Sequence, residues 1–263
     1  MQKISSKDNS LIKHIKKLKD KKYRNQYNEY IVEGAKIIGE AIKEDAKIKQ
    51  IIICDGCENN ELIEANLKYE LAKYECIYVP NNIFKMLTDV ENPQGILAVI
   101  EKSGKDNKID YNADVIVALD DVQDPGNVGT ILRTIDSVGI KQVLVSKGTA
   151  DVYNSKVIRS TMGAIFRVNV IECEDLKETL KELKKEKFKL TITSLEAAKS
   201  IYDIEYNKRV IVMGNEANGV SKDIQKMANE KVIIPMLGST ESLNVSIATG
   251  VILYEYVRQK LCN

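Results

Sequence analysis

Apolar and polar positions alternate along the chain in two distinct rhythms. Residues 8–22 place Leu11, Ile12, Ile15 and Leu18 at helical spacing among lysines, which predicts a helix. "EYIVEG" (29–34) reads as a strand ending in glycine, followed by a helix to about residue 44. "KQIIIC" (49–54), "CIYVP" and "QGILAVIE" (94–101) read as strands, with "NNELIEANLKYEL" and "NIFKMLT" as helices between them. The polar "KSGKDNK" (102–108) reads as a linker. Alternation then resumes. "ADVIVALD" (113–120), "KQVLVS" (141–146), "RVNVI" (167–171), "KLTITSL", "RVIVMG" and "KVIIPM" predict strands. Helices are predicted from near Asn127, over "SKVIRSTMGAIF" (155–166), 174–186 and "SKDIQKMA", and over 243–261. Strands rich in Val and Ile without polar alternation point to a parallel sheet covered on both faces. The pattern predicts an α/β protein of two domains, 1–104 and 109–263.

Composition narrows the class. The 263 residues are 44% apolar and 29% charged, enough for a sizeable core. No apolar run has the length of a membrane span and the N-terminus is polar, so the cytoplasm is the expected compartment. Cys54 and Cys57 form a CxxC, yet neither a second pair nor a histidine lies near enough for a zinc set, and no metal is expected. The single histidine, His14, argues against histidine acid–base chemistry. A net charge of +1 conceals nine Lys/Arg against two Asp/Glu in residues 1–24, a local balance of +7 that suits a polyanion or a solvated helix face.

Ligands of open parallel sheets bind at the carboxyl ends of strands. Three such ends carry unusual loops: "LDDVQDPGNVGTILRT" from residue 119, "MGNEANGVS" (213–221) and "IPMLGSTESLNVS" (234–246). Glycines there let backbone approach a ligand, and small polar side chains can bond it. Neither GxGxxG after a strand, nor GxxxxGK[ST], nor GxSxG is present, so dinucleotide, triphosphate and serine-nucleophile readings are weak.

These three loops resemble, in order and spacing, the motifs of the SpoU (TrmH) family of RNA ribose 2'-O-methyltransferases. "YIVEGAKIIGEAI" and "NPQGILAVI" resemble the substrate-binding domain, similar to ribosomal protein L30e, that often precedes them. The resemblance implies a SPOUT-type parallel sheet with a C-terminal trefoil knot, S-adenosylmethionine as methyl donor, and a homodimer formed through the C-terminal domain. It implies cofactor contacts at Gly214, Ile234 and Leu243, with Thr193 as an adenosine neighbour. It implies an active site of Asn127, Arg133, Glu216, Ser242 and Asn244. Asn127 and Arg133 stand one and two-thirds turns apart, so they are not stacked on one helix face. The family gives its arginine a part in activating the ribose hydroxyl. Because a guanidinium is not a base at neutral pH, the preferred role for Arg133 is to clamp a phosphate beside that hydroxyl. Lys13, Lys16, Lys17, Arg24 and Arg159 are candidate RNA contacts, and 23S ribosomal RNA is the expected substrate. A transfer RNA substrate and a non-catalytic RNA-binding or ribosome-assembly role are the alternatives.

Overall fold

The computed structural model describes residues 2–57, 61–67, 69–102 and 108–262, so most of the expected linker lies outside the described residues. The first elements are β1 (Gln2–Lys3), α1 (Ser10–Lys17), α2 (Lys21–Tyr27), β2 (Glu29–Glu33), α3 (Ala35–Lys43), β3 (Ile48–Cys54), α4 (Glu61–Leu67), β4 (Cys76–Val79), α5 (Asn81–Leu87) and β5 (Ile96–Glu101). There follow β6 (Val115–Asp120), α6 (Pro125–Ser137), β7 (Gln142–Val145), α7 (Ser155–Thr161), β8 (Asn169–Glu172), α8 (Leu176–Lys185) and β9 (Lys189–Thr193). The chain ends with β10 (Lys199–Ser200), β11 (Arg209–Gly214), α9 (Lys222–Met227), β12 (Glu230–Ile233) and α10 (Val245–Cys262).

The chain packs as two compact units. One holds Met1–Gly104 together with Asp151–Phe166, and the other holds Lys105–Ala150 with Arg167–Asn263. The segment that bears α7 therefore lies with the first unit, although its neighbours in sequence belong to the second.

In the first unit the strands run β1-β4-β3-β5-β2. β5 pairs antiparallel with both β2 and β3, while β4 runs parallel to β1 and β3, so the sheet is mixed. Ile12, Ile15 and Leu18 close over one face with Ile52, Ile77, Phe84 and Leu97. The helix predicted over 8–22 is in fact two. Leu18 ends the first, and Asp20 caps the second by accepting from the Lys22 amide at 2.8 Å. The helix predicted over 155–166 stops at Thr161, because Met162 and Gly163 take the left-handed conformation (φ 51° and 94°) that ends helices.

In the second unit the order is β10-β12-β9-β11-β6-β7-β8, and every pairing is parallel. The strands are buried runs such as Val-Ile-Val-Ala-Leu-Asp in β6, as expected of a sheet covered on both faces. The register pairs Gly214 with Asp120 and Thr193 with Val232, so β6, β11, β9 and β12 all end along one edge of the sheet. That edge carries the three loops.

Candidate active site

Each loop has a local reason for its shape. Asp124 caps α6, accepting from the Asn127 amide at 2.9 Å, and Pro125 supplies the fixed φ of a first helical turn. After β11, Gly214 sits where a Cβ would lie 2.2 Å from the Gly219 carbonyl carbon and the Val220 nitrogen, so only glycine fits. Before α10, the Asn244 side-chain oxygen accepts from the amides of Ser246 at 2.9 Å and Ile247 at 3.4 Å, and from the Ser246 hydroxyl at 2.6 Å. It is the cap of the long helix.

Side chains then tie the loops together. Asn127 Nδ2 donates to Glu216 Oε1 at 2.9 Å, and Asn244 Nδ2 donates to Asn127 Oδ1 at 3.0 Å. Glu216 also accepts from the backbone amides of Gln123 (3.1 Å) and Asp124 (3.2 Å). Two further links join the first and second loops: Asp120 Oδ2 accepts from the Ser221 amide at 2.7 Å, and Asn215 Nδ2 donates to the Asp121 carbonyl at 2.9 Å. A continuous relay, Glu216–Asn127–Asn244, thus runs from the second loop through the first to the third.

The relay sets the charge state of Glu216. Partial desolvation pushes its carboxyl up, but hydrogen bonds from Asn127 and from the backbone amides of Gln123, Glu216 itself and Asp124 outweigh that effect. Together they hold it below the ordinary carboxylate range. It is an anion at neutral pH, occupied with bracing two loops.

Other candidates are free of such ties among the described residues. Arg133 stands exposed on α6 and, among the described residues, makes no hydrogen bond or ion pair. Ser242 and Leu243 are exposed in the third loop, Ile234 and Thr193 are half-buried at the ends of β12 and β9, and Leu195 is 60% exposed just beyond β9. Leu195 and Ile234 are apolar residues just beyond the ends of β9 and β12, and Leu243 is an apolar residue of the third loop. That set fits an adenosyl group, which has apolar faces and hydrogen-bonding edges.

These observations carry the family assignment when set beside known proteins. Residues 114–254 match the SpoU rRNA Methylase family, and residues 9–98 match the MRM3-like substrate binding domain. The chain belongs to the SpoU rRNA methylase family. It is 31% identical to the 23S rRNA (guanosine(2553)-2'-O)-methyltransferase RlmP of Bacillus subtilis, over 97% of this chain and 98% of that protein. The AdoMet-bound rRNA methyltransferase from Sinorhizobium meliloti superimposes with a TM-score of 0.83 at 27% identity, covering 98% of both chains. The TrmH/SpoU tRNA modifying enzyme of A. aeolicus is 33% identical but covers 56% of this chain and 76% of its own, with a TM-score of 0.50.

Within this SpoU family member, the structure gathers Asn127, Glu216 and Asn244 into direct contact. Gly214, Thr193 and Ile234 lie on the same sheet edge and, among the described residues, make no side-chain hydrogen bond to that trio. Sequence reasoning missed Asp120, Asp121 and Asn215, whose bonds to neighbouring loops appear only once β6 and β11 are paired. The RNA candidates divide. Lys16 and Lys17 are exposed on α1, whereas Lys13 pairs with Asp8 at 2.9 Å. Arg24 departs from the expectation of a surface contact. It is 5% exposed, and its guanidinium is spent on the Leu18 and Lys19 carbonyls and on Asp151 at 2.5 Å. Arg159 is exposed on α7.

Proposed function

We infer that this protein transfers the methyl group of S-adenosylmethionine to a ribose 2'-hydroxyl of RNA, with 23S ribosomal RNA as its substrate. The carrying observation is the Glu216–Asn127–Asn244 relay, which holds all three family loops at one sheet edge. The near-complete overlap with RlmP of Bacillus subtilis supports a ribosomal substrate. The match to the tRNA modifying enzyme of A. aeolicus spans little more than half of this chain, which places transfer RNA second.

When bound, S-adenosylmethionine supplies an activated methyl on a sulfonium, so the protein's task is positioning. Gly214, Ile234 and Leu243 would hold the cofactor with Thr193 beside the adenosine. Asn244 and Ser242 present hydrogen-bonding groups to the ribose, with Asn127 and Glu216 keeping Asn244 in place. Arg133 clamps a phosphate next to the reacting hydroxyl, and that phosphate or a water takes the proton; its charge also steadies the developing alkoxide. The reading takes with it the trefoil knot of the family.

Lys16, Lys17 and Arg159, with Lys13 once its contact with Asp8 gives way, attract the RNA backbone. The protein works in the cytoplasm as a homodimer through α10; among the described residues no helix is long and apolar enough to cross a membrane. Incubating the protein with labelled S-adenosylmethionine and ribosomal RNA, then mapping the modified ribose, tests the whole reading. Transfer of label to a 2'-oxygen of 23S RNA is expected. Tight RNA binding with no label transferred would reject it in favour of a non-catalytic role.

A further inference from the structure

A cleft in the first unit lies where α7 packs on β2, and none of the residues lining it was placed in the active site above. Strand periodicity puts Ile31 and Glu33 on one half-buried face of β2. Both line the cleft, facing Tyr153, Asn154, Ile158 and Arg159. The other cations of the lining are already neutralised: Lys19 pairs with Asp89 at 3.1 Å and Arg24 with Asp151 at 2.5 Å. Arg159 is exposed and, among the described residues, makes no hydrogen bond or ion pair. The Glu33 carboxylate accepts from the Thr88 hydroxyl, at 2.6 Å to each oxygen, and from the Asp89 backbone amide; with two oxygens and about four lone-pair sites it keeps capacity for further donors. Burial, helped by the Asp89 charge, pushes the Glu33 carboxyl up, against the pull of the hydrogen bonds from Thr88 and the Asp89 amide and of the nearby Arg159 charge. A pair of donors from a ligand would relieve that burial cost. The Asn154 side-chain oxygen is used to cap α7, accepting from Lys156 at 2.9 Å, so its amide nitrogen is the group left for a ligand.

The charges select what can enter. Glu33 repels a phosphate and Arg159 repels a cation, so the occupant is a neutral group with two adjacent donors beside an acceptor edge. Among RNA bases that description fits guanine, whose N1–H and N2–H2 donors match one carboxylate while O6 and N7 match a guanidinium or amide. Adenine, cytosine and uracil each lack the adjacent donor pair. We propose that this cleft receives an unpaired guanine of the RNA, with Glu33 on its N1–H and N2–H2 and with Arg159 and Asn154 on its O6 and N7 edge. Ile31 and Ile158 supply apolar contact for the ring. The proposal rests on the RNA reading above and adds a base-reading site outside the methyl-transfer centre. Unpaired bases are the usual carriers of sequence information in RNA recognition, because their edges are free.

The test uses the full chain with 13C-labelled isoleucine methyl groups and four probes: guanosine, inosine, adenosine and uridine monophosphates. Guanosine monophosphate should shift the Ile31 and Ile158 methyl signals and bind roughly tenfold or more tightly than inosine monophosphate, which lacks the N2 donors. Glu33→Gln should erase that difference while leaving the melting temperature in place, and Arg159→Ala should weaken the guanosine probe. Should Glu33→Gln fail to fold, the comparison of guanosine and inosine probes on the wild-type chain still decides. Equal binding of the two, or no shift of either methyl, overturns the proposal. Methyl transfer to ribosomal RNA by a protein that does not tell these probes apart would sink the cleft alone. Guanosine binding here without any methyl transfer would sink the enzymatic reading alone.

Discussion

At the scale of single residues, hydrogen bonding divides the polar groups at this sheet edge. Glu216 is held by one side-chain and two inter-loop backbone donors, whereas Arg133 has no hydrogen-bond partner among the described residues. Arg133→Lys keeps the charge and loses the planar fork. Turnover under saturating RNA should drop by about 10²-fold, the scale of a misplaced reactant, with S-adenosylmethionine affinity unchanged in calorimetry. A lysine variant turning over at the wild-type rate would remove Arg133 from the chemistry. Glu216 predicts a pH effect. Its carboxyl titrates lower in the folded state than in the unfolded chain. Its stabilising contribution is therefore present above the unfolded carboxylate value of about 4.3 and fades as pH falls through the lower folded value. Glu216→Gln should flatten the acid limb of the stability curve, as read by urea melts between about pH 3 and 6. An unaltered acid limb would show that the four donors do not favour the anion.

At the scale of elements, α10 has two kinds of face. Thr249, Ile252, Leu253 and Tyr256 are buried, consistent with its packing on α6. Ile247, Tyr254 and Leu261 are 55%, 56% and 81% exposed and recur every seventh residue, an apolar row on the surface of the second unit. Residues 245–257 carry more apolar side chains than one narrow stripe requires, and this exposed row is the part left over. Replacing both Ile247 and Tyr254 by glutamate should convert the proposed dimer to a monomer in light scattering, with the fold retained. An unaffected mass would rule out this row as the dimer interface. The start of α10 carries a separate prediction. Asn244→Ala removes a cap worth about 1 kcal/mol and also the bond to Asn127. Stability should fall by about that amount, while methyl transfer falls further than stability explains. Loss of stability alone would reduce Asn244 to a cap.

At the scale of the whole molecule, charge is distributed by unit and by partner. The excess of cations in residues 1–24 survives folding only in part, since Arg24 is buried and Lys13 and Lys19 have acidic partners. Lys16, Lys17, Lys21 and Lys22 remain exposed. Converting these four to glutamine should lower the slope of log affinity against log salt by about three, as expected for four released counterions on single-stranded RNA. A slope equal to that of the wild type would exclude them from the RNA surface.

The sequence alone determined the strand-and-helix alternation, the all-parallel sheet of the second unit and the three loops at its strand ends. Period and composition are local properties, and runs such as "VIVALD" leave little choice of environment. Tertiary structure decided what depends on distant partners. It split the first lysine-rich helix at Asp20, buried Arg24 against Asp151, and placed α7 with the first unit. It also joined Glu216, Asn127 and Asn244, which lie 89 and 117 residues apart along the chain. No local pattern encodes such pairings, because a hydrogen bond between loops exists only after parallel strands have aligned their ends.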